Sequence, residues 1–227
     1  MTELIVAALA FVGSHFVLAN APARDAIVGR VGEGAFLVGY SIVAAATLAW
    51  MIVAYGAAPT VELWAPAPWS VWLPVVVLPV AFVLIVSAYT TANLAALGQD
   101  KVAARPDPAP GVMRITRHPM MWGVTLWAIA HVPANGDAAS VILFGAVLVL
   151  ALGGMVMIDV KKRRRLGLDW VRFERTTSIV PFAAILSGRA RPDWRGIGWW
   201  RVALGLAAYG FFVAVHPWLI GVSPLPG

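Results

Sequence analysis

The chain has 227 residues, 60% of them hydrophobic and 12% charged, with a mean hydropathy of +0.81. That balance excludes a water-soluble globular domain and belongs to a polytopic membrane protein. The net charge is +6 and cysteine is absent, which excludes disulfides, iron–sulfur clusters, thiolate-ligated haem and cysteine-type zinc sites.

A spanning helix needs about 20 apolar residues to cross roughly 30 Å of hydrocarbon. Six stretches meet or approach that length. The first, Leu4–Ala21, ends where Asn20-Ala21-Pro22 disfavours helix. Its leading flank holds Glu3 and no cation, and the positive charge comes after it. It therefore reads as a retained span, although Ala19-Asn20-Ala21 fits a leader cleavage pattern. Gly29, Gly32 and Gly34 predict a flexible loop before the second stretch, Phe36–Ala57. Next come Trp64, Pro66, Pro68, Trp69 and Trp72, a proline-broken aromatic belt at headgroup level. The third stretch, Val71–Tyr89, carries Pro74 and Pro79 and is expected to kink. Pro106, Pro108 and Pro110 make the following loop, Gln99 to Arg117, read as a stiff extended spacer. The fourth stretch, Pro119–Pro133, is short. Six spans, or five with a re-entrant fourth, both stay open. The fifth is Ser140–Ile158, the sixth Gly198–Ile220, and between them lies the largest soluble piece. There Leu166, Trp170, Phe173, Ile179 and Phe182 are expected on the membrane surface, cations outward.

All 17 Lys and Arg residues fall after the first, third or fifth stretch or at the start of the sixth. In a six-span protein those positions share one face. The positive-inside rule makes that face cytoplasmic and both termini extracytoplasmic. The expected fold is an all-α transmembrane helix bundle of about six spans. It forms a single domain over 1–227 with a basic cytoplasmic loop at 159–197. Cations beside helix ends meet anionic headgroups at about 1 kcal/mol each. The basic pI therefore calls for a lipid bilayer and needs no nucleic acid. For Lys161–Arg165 the alternative is an anionic ligand or a partner protein.

An ionisable side chain inside hydrocarbon is expensive and therefore a functional candidate. His15 lies within the first stretch, His131 in the fourth and His216 in the sixth, while His118 sits at the cytoplasmic mouth of the fourth. Neutral imidazole ligates haem iron and other transition metals. Two imidazoles from different helices can clamp one iron while the apolar bundle takes the porphyrin. An interhelical hydrogen bond is the plainer role for each. A di-metal carboxylate site is disfavoured, because no helix offers an interior Glu and no Glu-x-x-His spacing exists. Ser14 and His15 are adjacent on a helix and point apart, so they make no nucleophile–base unit.

The run Arg114-Ile115-Thr116-Arg117-His118-Pro119, followed by Met120-Met121-Trp122-Gly123, resembles the NnrU family. So does Ala130-His131-Val132-Pro133-Ala134-Asn135-Gly136-Asp137, with Ser14-His15-Phe16 before it and His216-Pro217-Trp218 after. The resemblance covers nearly the whole chain. It implies a multi-pass protein of the bacterial inner membrane, linked to denitrification through nitrite and nitric oxide reductases. The family includes a plant cis-zeta-carotene isomerase, which implies haem b held by His ligands. His15, His118 and His131 match His positions of that isomerase. One of its proposed ligands falls near Met157-Ile158-Asp159-Val160, where this chain has no His.

The resemblance thus points to haem b with His15 and His131 as ligands and His216 in reserve. Arg114, Arg117 and His118 would form an anion or propionate site, since a forked guanidinium suits a carboxylate. Arg117-His118-Pro119 with Gly123, then Leu166-Gly167, Trp170 and Phe173 before Pro181, is also similar to the isoprenylcysteine and phospholipid methyltransferases. That similarity implies an S-adenosylmethionine pocket on the cytoplasmic side. A non-catalytic assembly factor for a respiratory or denitrification enzyme, docking through the fifth loop, is the further alternative.

Overall fold

The computed structural model describes residues 1–225, the Ala21 side chain excepted. Its helices are α1 Thr2–Ala19, α2 Ala21–Val31, α3 Glu33–Gly56, α4 Trp72–Thr90, α5 Pro119–Asn135, α6 Ala138–Leu166, α7 Leu168–Arg175, α8 Ala183–Leu186, α9 Trp194–Ile197 and α10 Trp199–Ile220. Five of these, α1, α3, α4, α6 and α10, are long and apolar enough to cross a membrane. The protein is a polytopic helical bundle.

The long helices stand in a row. α1 packs between α3 and α6, α6 meets α5 on its other side, α5 meets α4, and α4 meets α10. α5 has 17 residues, about 25 Å of helix. It is continuous and lies between α4 and α6, so the short fourth stretch crosses the bundle as a helix and does not turn back. Gly136, with φ 75°, ends α5 in the left-handed conformation that favours glycine. Asp137 then caps α6 by accepting the Ser140 amide at 2.9 Å. The segment before α4 clamps this turn: Leu63 N–H donates to Gly136 O at 2.8 Å, and Ala138 N–H to Val61 O at 2.9 Å.

At the other end of the row lie all the elements that carry Lys and Arg. Arg201 of α10 donates to Thr90 O at 2.8 Å. Lys162 of α6 donates to Ala96 O at 2.7 Å. Arg24 of α2 reaches Glu33 at 2.7 Å. α1 begins, and α10 ends, at the opposite end.

Four expectations are corrected here. The first basic loop is helix α2, broken from α3 by Gly32 alone. Lys161–Arg165 are the last turns of α6 and not loop. The proline-rich segment is no spacer: it folds through 3₁₀ turns at Asp100–Ala104 and Gly111–Arg114 and buries Leu94, Val102, Ala109, Val112 and Met113. Trp170 and Phe173 are fully buried in that same cluster. The folded proline segment offers them an apolar partner closer than lipid. Ile179 and Phe182 do remain at least partly exposed.

α4 is clasped closely on two sides. A Cβ on Gly123 of α5 would lie 2.8 Å from Ala81 O, and one on Gly205 of α10 would lie 2.7 Å from Val83 Cα. Both distances are below van der Waals contact with backbone, which cannot swing away. Gly205→Val is expected to destabilise the protein by about 1–3 kcal/mol through overpacking. Gly210→Ala, where nothing lies within 4 Å, is expected to melt no lower than wild type. Thermal unfolding in detergent distinguishes the two.

Candidate functional site

The Arg-His-Pro turn is built by its neighbours. Pro119 occupies the first turn of α5, where its missing N–H is no loss. Thr116 Oγ1 donates to Ile179 O at 2.8 Å and accepts the His118 amide at 3.2 Å. Arg117 N–H donates to Ser178 O at 3.0 Å. Trp122 Nε1 donates to Ile179 O at 2.8 Å. These bonds lace residues 178–179 across the turn and leave the Arg117 and His118 side chains pointing into α6.

There both meet Asp159. His118 Nε2 donates to Asp159 Oδ1 at 2.7 Å, and Arg117 donates to Asp159 Oδ2 through Nε at 2.9 Å and Nη2 at 2.5 Å. Arg117, His118 and Asp159 are 8%, 3% and 7% exposed, which makes this a buried ion cluster and no surface pair. Glu174 of α7 extends it. It lies 3.4 Å from Arg117 Nη2 and accepts Arg163 on both oxygens, at 2.8 and 2.6 Å. Asp159 is the residue the sequence left undervalued, as a span boundary. Its signal was its position, since it is the one acid in a helix of 29 residues.

The remaining candidates are dispersed. Arg114 turns away from Arg117 and His118, donating to Ala109 O at 2.7 Å and to Asp107 at 2.9 Å. His15 donates Nδ1–H to Phe11 O at 2.7 Å and meets the Tyr40 ring of α3 edge-on, centroids 5.5 Å apart. His131 donates Nδ1–H to Trp127 O at 2.7 Å and stacks on Phe144 of α6 at 5.1 Å. His216 donates Nδ1–H to Val222 O at 2.8 Å.

The structure does not bring His15 and His131 together. Phe16, beside His15, lies against Gly153, whereas His131 lies against Phe144. Those two α6 positions are about 13 Å apart along the axis. His131 and His216 do share a level. Gly123 and Gly205 meet α4 around Ala81–Ile85. Counting outward from them by about 1.5 Å per residue sets both imidazoles beside the first turns of α4. Among the described residues, no group of three His, Cys, Asp or Glu side chains is placed to hold a metal ion.

A family model described as NnrU protein matches residues 3–224. The chain belongs to the NnrU family. Two curated relatives of the chain are chloroplastic 15-cis-zeta-carotene isomerases. The one from Arabidopsis thaliana is 37% identical over 79 residues, 35% of this chain and 22% of the relative. The one from Zea mays is 36% identical over 81 residues, 36% of this chain and 22% of the relative. The match thus spans about a fifth of each isomerase's length. No solved structure matches.

A second polar staple holds the basic end. Asp193 accepts Gly111 N–H at 2.8 Å and Gly196 N–H at 2.9 Å, joining the 3₁₀ turn before α5 to α9. These two amides hold its carboxyl below the usual carboxylate range.

Two outcomes are expected. Asp159→Ala leaves Arg117 buried without its nearest counter-ion, with only the more distant Glu174, and is expected to cost about 3–5 kcal/mol. Joint replacement of Arg117 and Asp159 by Leu is expected to cost less than the sum of the single changes, as a double-mutant unfolding cycle reports. For Asp193 the folded-state pKa is depressed, so its contribution is present above the unfolded value. It is lost as pH falls through the lower folded value. The protection factors of the Gly111 and Gly196 amides, corrected for the intrinsic exchange rate at each pH, are therefore expected to fall on acidification, and Asp193→Ala to remove that step.

Proposed function

We propose that this NnrU-family protein binds haem b within the membrane through imidazole ligands. The observation that carries the reading is the state of the three histidines in the long helices. Each spends Nδ1–H on a backbone carbonyl. A carbonyl only accepts, so Nδ1 carries the proton and Nε2 presents its lone pair. Among the described residues, none of the three Nε2 atoms is engaged in a hydrogen bond. Neutral imidazole with its far nitrogen anchored is the form that ligates iron, and the anchoring bond fixes ring direction.

His131 and His216 are the pair proposed, because they share a level. His15, one of the two leading candidates in the sequence, matches the same tautomer but stands about 13 Å deeper along α6. Haem iron supplies one-electron chemistry and affinity for nitric oxide. Those capacities suit the nitrite and nitric oxide metabolism that the family resemblance implies. The relatives' name, an isomerase of 15-cis-zeta-carotene, adds a second class of substrate: an extended apolar polyene reached from the bilayer.

The location proposed is a bacterial inner membrane, with the basic end cytoplasmic by the positive-inside rule. A respiratory or denitrification enzyme is the proposed partner class. An S-adenosylmethionine pocket at the Arg-His-Pro turn, the alternative chemistry, would have to compete with Asp159 for both Arg117 and His118.

The test is haem content of the detergent-purified protein, by pyridine haemochrome and the reduced Soret band. Wild type is expected to hold near-stoichiometric haem. His131→Ala and His216→Ala are expected to lose most of it, and His15→Ala to keep it. Loss in His15→Ala with retention in His216→Ala would move the second ligand to His15. Retention in all three, or a colourless wild type expressed with ample haem, overturns the reading.

A further inference from the structure

Beside α9, on the basic end, Asp107, Arg114, Gly188, Arg189, Arg191 and Asp193 line an open cleft of about 500 Å³. That volume falls within the roughly 300–1,000 Å³ that small-molecule sites occupy. The cleft is separate from the Arg117–Asp159 cluster and from the three membrane histidines.

Its charges are unequally committed. Asp107 is paired with a cation, whereas Asp193 is held by neutral amides. Asp107 accepts Arg114 at 2.9 Å and the Ala109 amide at 2.9 Å. Asp193 accepts the Gly111 and Gly196 amides. Neither arginine on the facing loop has a carboxylate partner among the described residues. Arg189 donates to Ser187 Oγ at 3.1 Å and to the Glu174 and Thr177 carbonyls at 3.0 and 3.2 Å, all neutral oxygens. Arg191 makes no hydrogen bond or ion pair among the described residues. Three arginines thus face two carboxylates, which leaves the lining one net positive charge, with Arg189 anchored by four bonds to neutral oxygens and Arg191 free to close over a ligand. A fork of donors of this kind matches an oxyanion with several acceptor oxygens, phosphate above all.

The rim points to the source of that phosphate. Leu186, on α8 just before the cleft, is 84% exposed; Trp194, just after it, is 61% exposed; Trp199 is 86% exposed. Apolar side chains of this size, flanking arginines at the ends of membrane-spanning helices, lie where headgroups give way to acyl chains. A soluble phosphate would use the arginines and leave the apolar rim in water. A lipid uses both.

We propose that this cleft binds the phosphodiester headgroup of an anionic glycerophospholipid. Arg189 and Arg191 would hold the phosphate oxygens, and Leu186 and Trp194 would flank the acyl chains. Arg191 makes no contact that the fold uses, so Arg191→Gln removes a cleft charge without disturbing the frame. Arg164→Gln, an exposed change near the end of α6 outside the cleft, removes the same charge elsewhere.

The experiment is native mass spectrometry of the detergent-purified full chain, titrated with phosphatidylglycerol, with phosphatidylcholine and with inorganic phosphate. Wild type is expected to retain phosphatidylglycerol saturably and more tightly than phosphatidylcholine. Arg191→Gln is expected to weaken it about tenfold, the effect of one charge-assisted contact, and Arg164→Gln to leave it unchanged. Equal weakening in both variants would show a diffuse surface field and overturn the site. Displacement of the lipid by millimolar inorganic phosphate, with Arg191-dependent phosphate binding, would assign the cleft to a soluble phosphate and overturn the lipid. Failure of wild type to retain phosphatidylglycerol overturns the proposal outright.

Discussion

A single carboxylate, placed where the apolar run of α6 meets its basic last turns, sets the terms for the basic half of this molecule. Asp159 inside α6 is tolerable only if its charge is met, since an unpaired acid among hydrocarbon costs several kcal/mol. The chain meets it twice, with consecutive residues of one turn. Those bonds fix the height of α5 against α6 and draw residues 178–179 over the turn. They also bring Glu174, and with it α7, onto the end of the bundle. The Trp170–Phe173 cluster under the proline-rich segment can close only once α7 is there. Desolvation makes the cluster costly to break and ties several elements to one register, which is a gain in uniqueness more than in net stability.

The two ends of the helix row are closed by different physics. At the end away from the cations, backbone hydrogen bonds and an Asp137 cap hold the α5–α6 turn to the segment before α4. At the basic end, side-chain charges do the closing. Arg117, Lys162, Arg163 and Arg165 all pair with acids, and Arg201 and Arg189 cap main-chain carbonyls. Eight of the eleven acids lie with these cations. Much of the basic composition is therefore internal bracing.

The architecture was legible because hydrocarbon imposes a simple rule: about 20 apolar residues per crossing, with cations kept to one side. The stretches found from that rule coincide with helices to within three residues, save the fifth, whose helix runs eight residues further, and the NnrU motifs lie where the helices meet. Structure outside the helices was harder to see. Three prolines in one loop read as an extended spacer, yet proline also stabilises tight turns, and tertiary burial of Val112 and Met113 decided between the two. Lys161–Arg165 read as loop because charge ends a hydropathy window, whereas backbone hydrogen bonding carries α6 on beyond it. The Asp159 partners were present as neighbours in the text, Arg117 and His118, but nothing in spacing joins positions 117 and 159. The histidines show the same limit. Depth along a helix is countable, and the side on which a ring emerges is set by packing.

α5 has a bearing on how the chain enters a bilayer. It is shorter than the five helices that are long and apolar enough to cross a membrane and carries Thr125 and His131 between its ends, so it is poor at partitioning alone. Its basic end bears Arg117 and His118, whose counter-charge is made only when α6 emerges. A tight Gly136–Asp137 turn leaves no slack between the two. The natural unit of insertion is therefore the α5–α6 hairpin, in which the second helix carries the first across and the ion pair closes behind them.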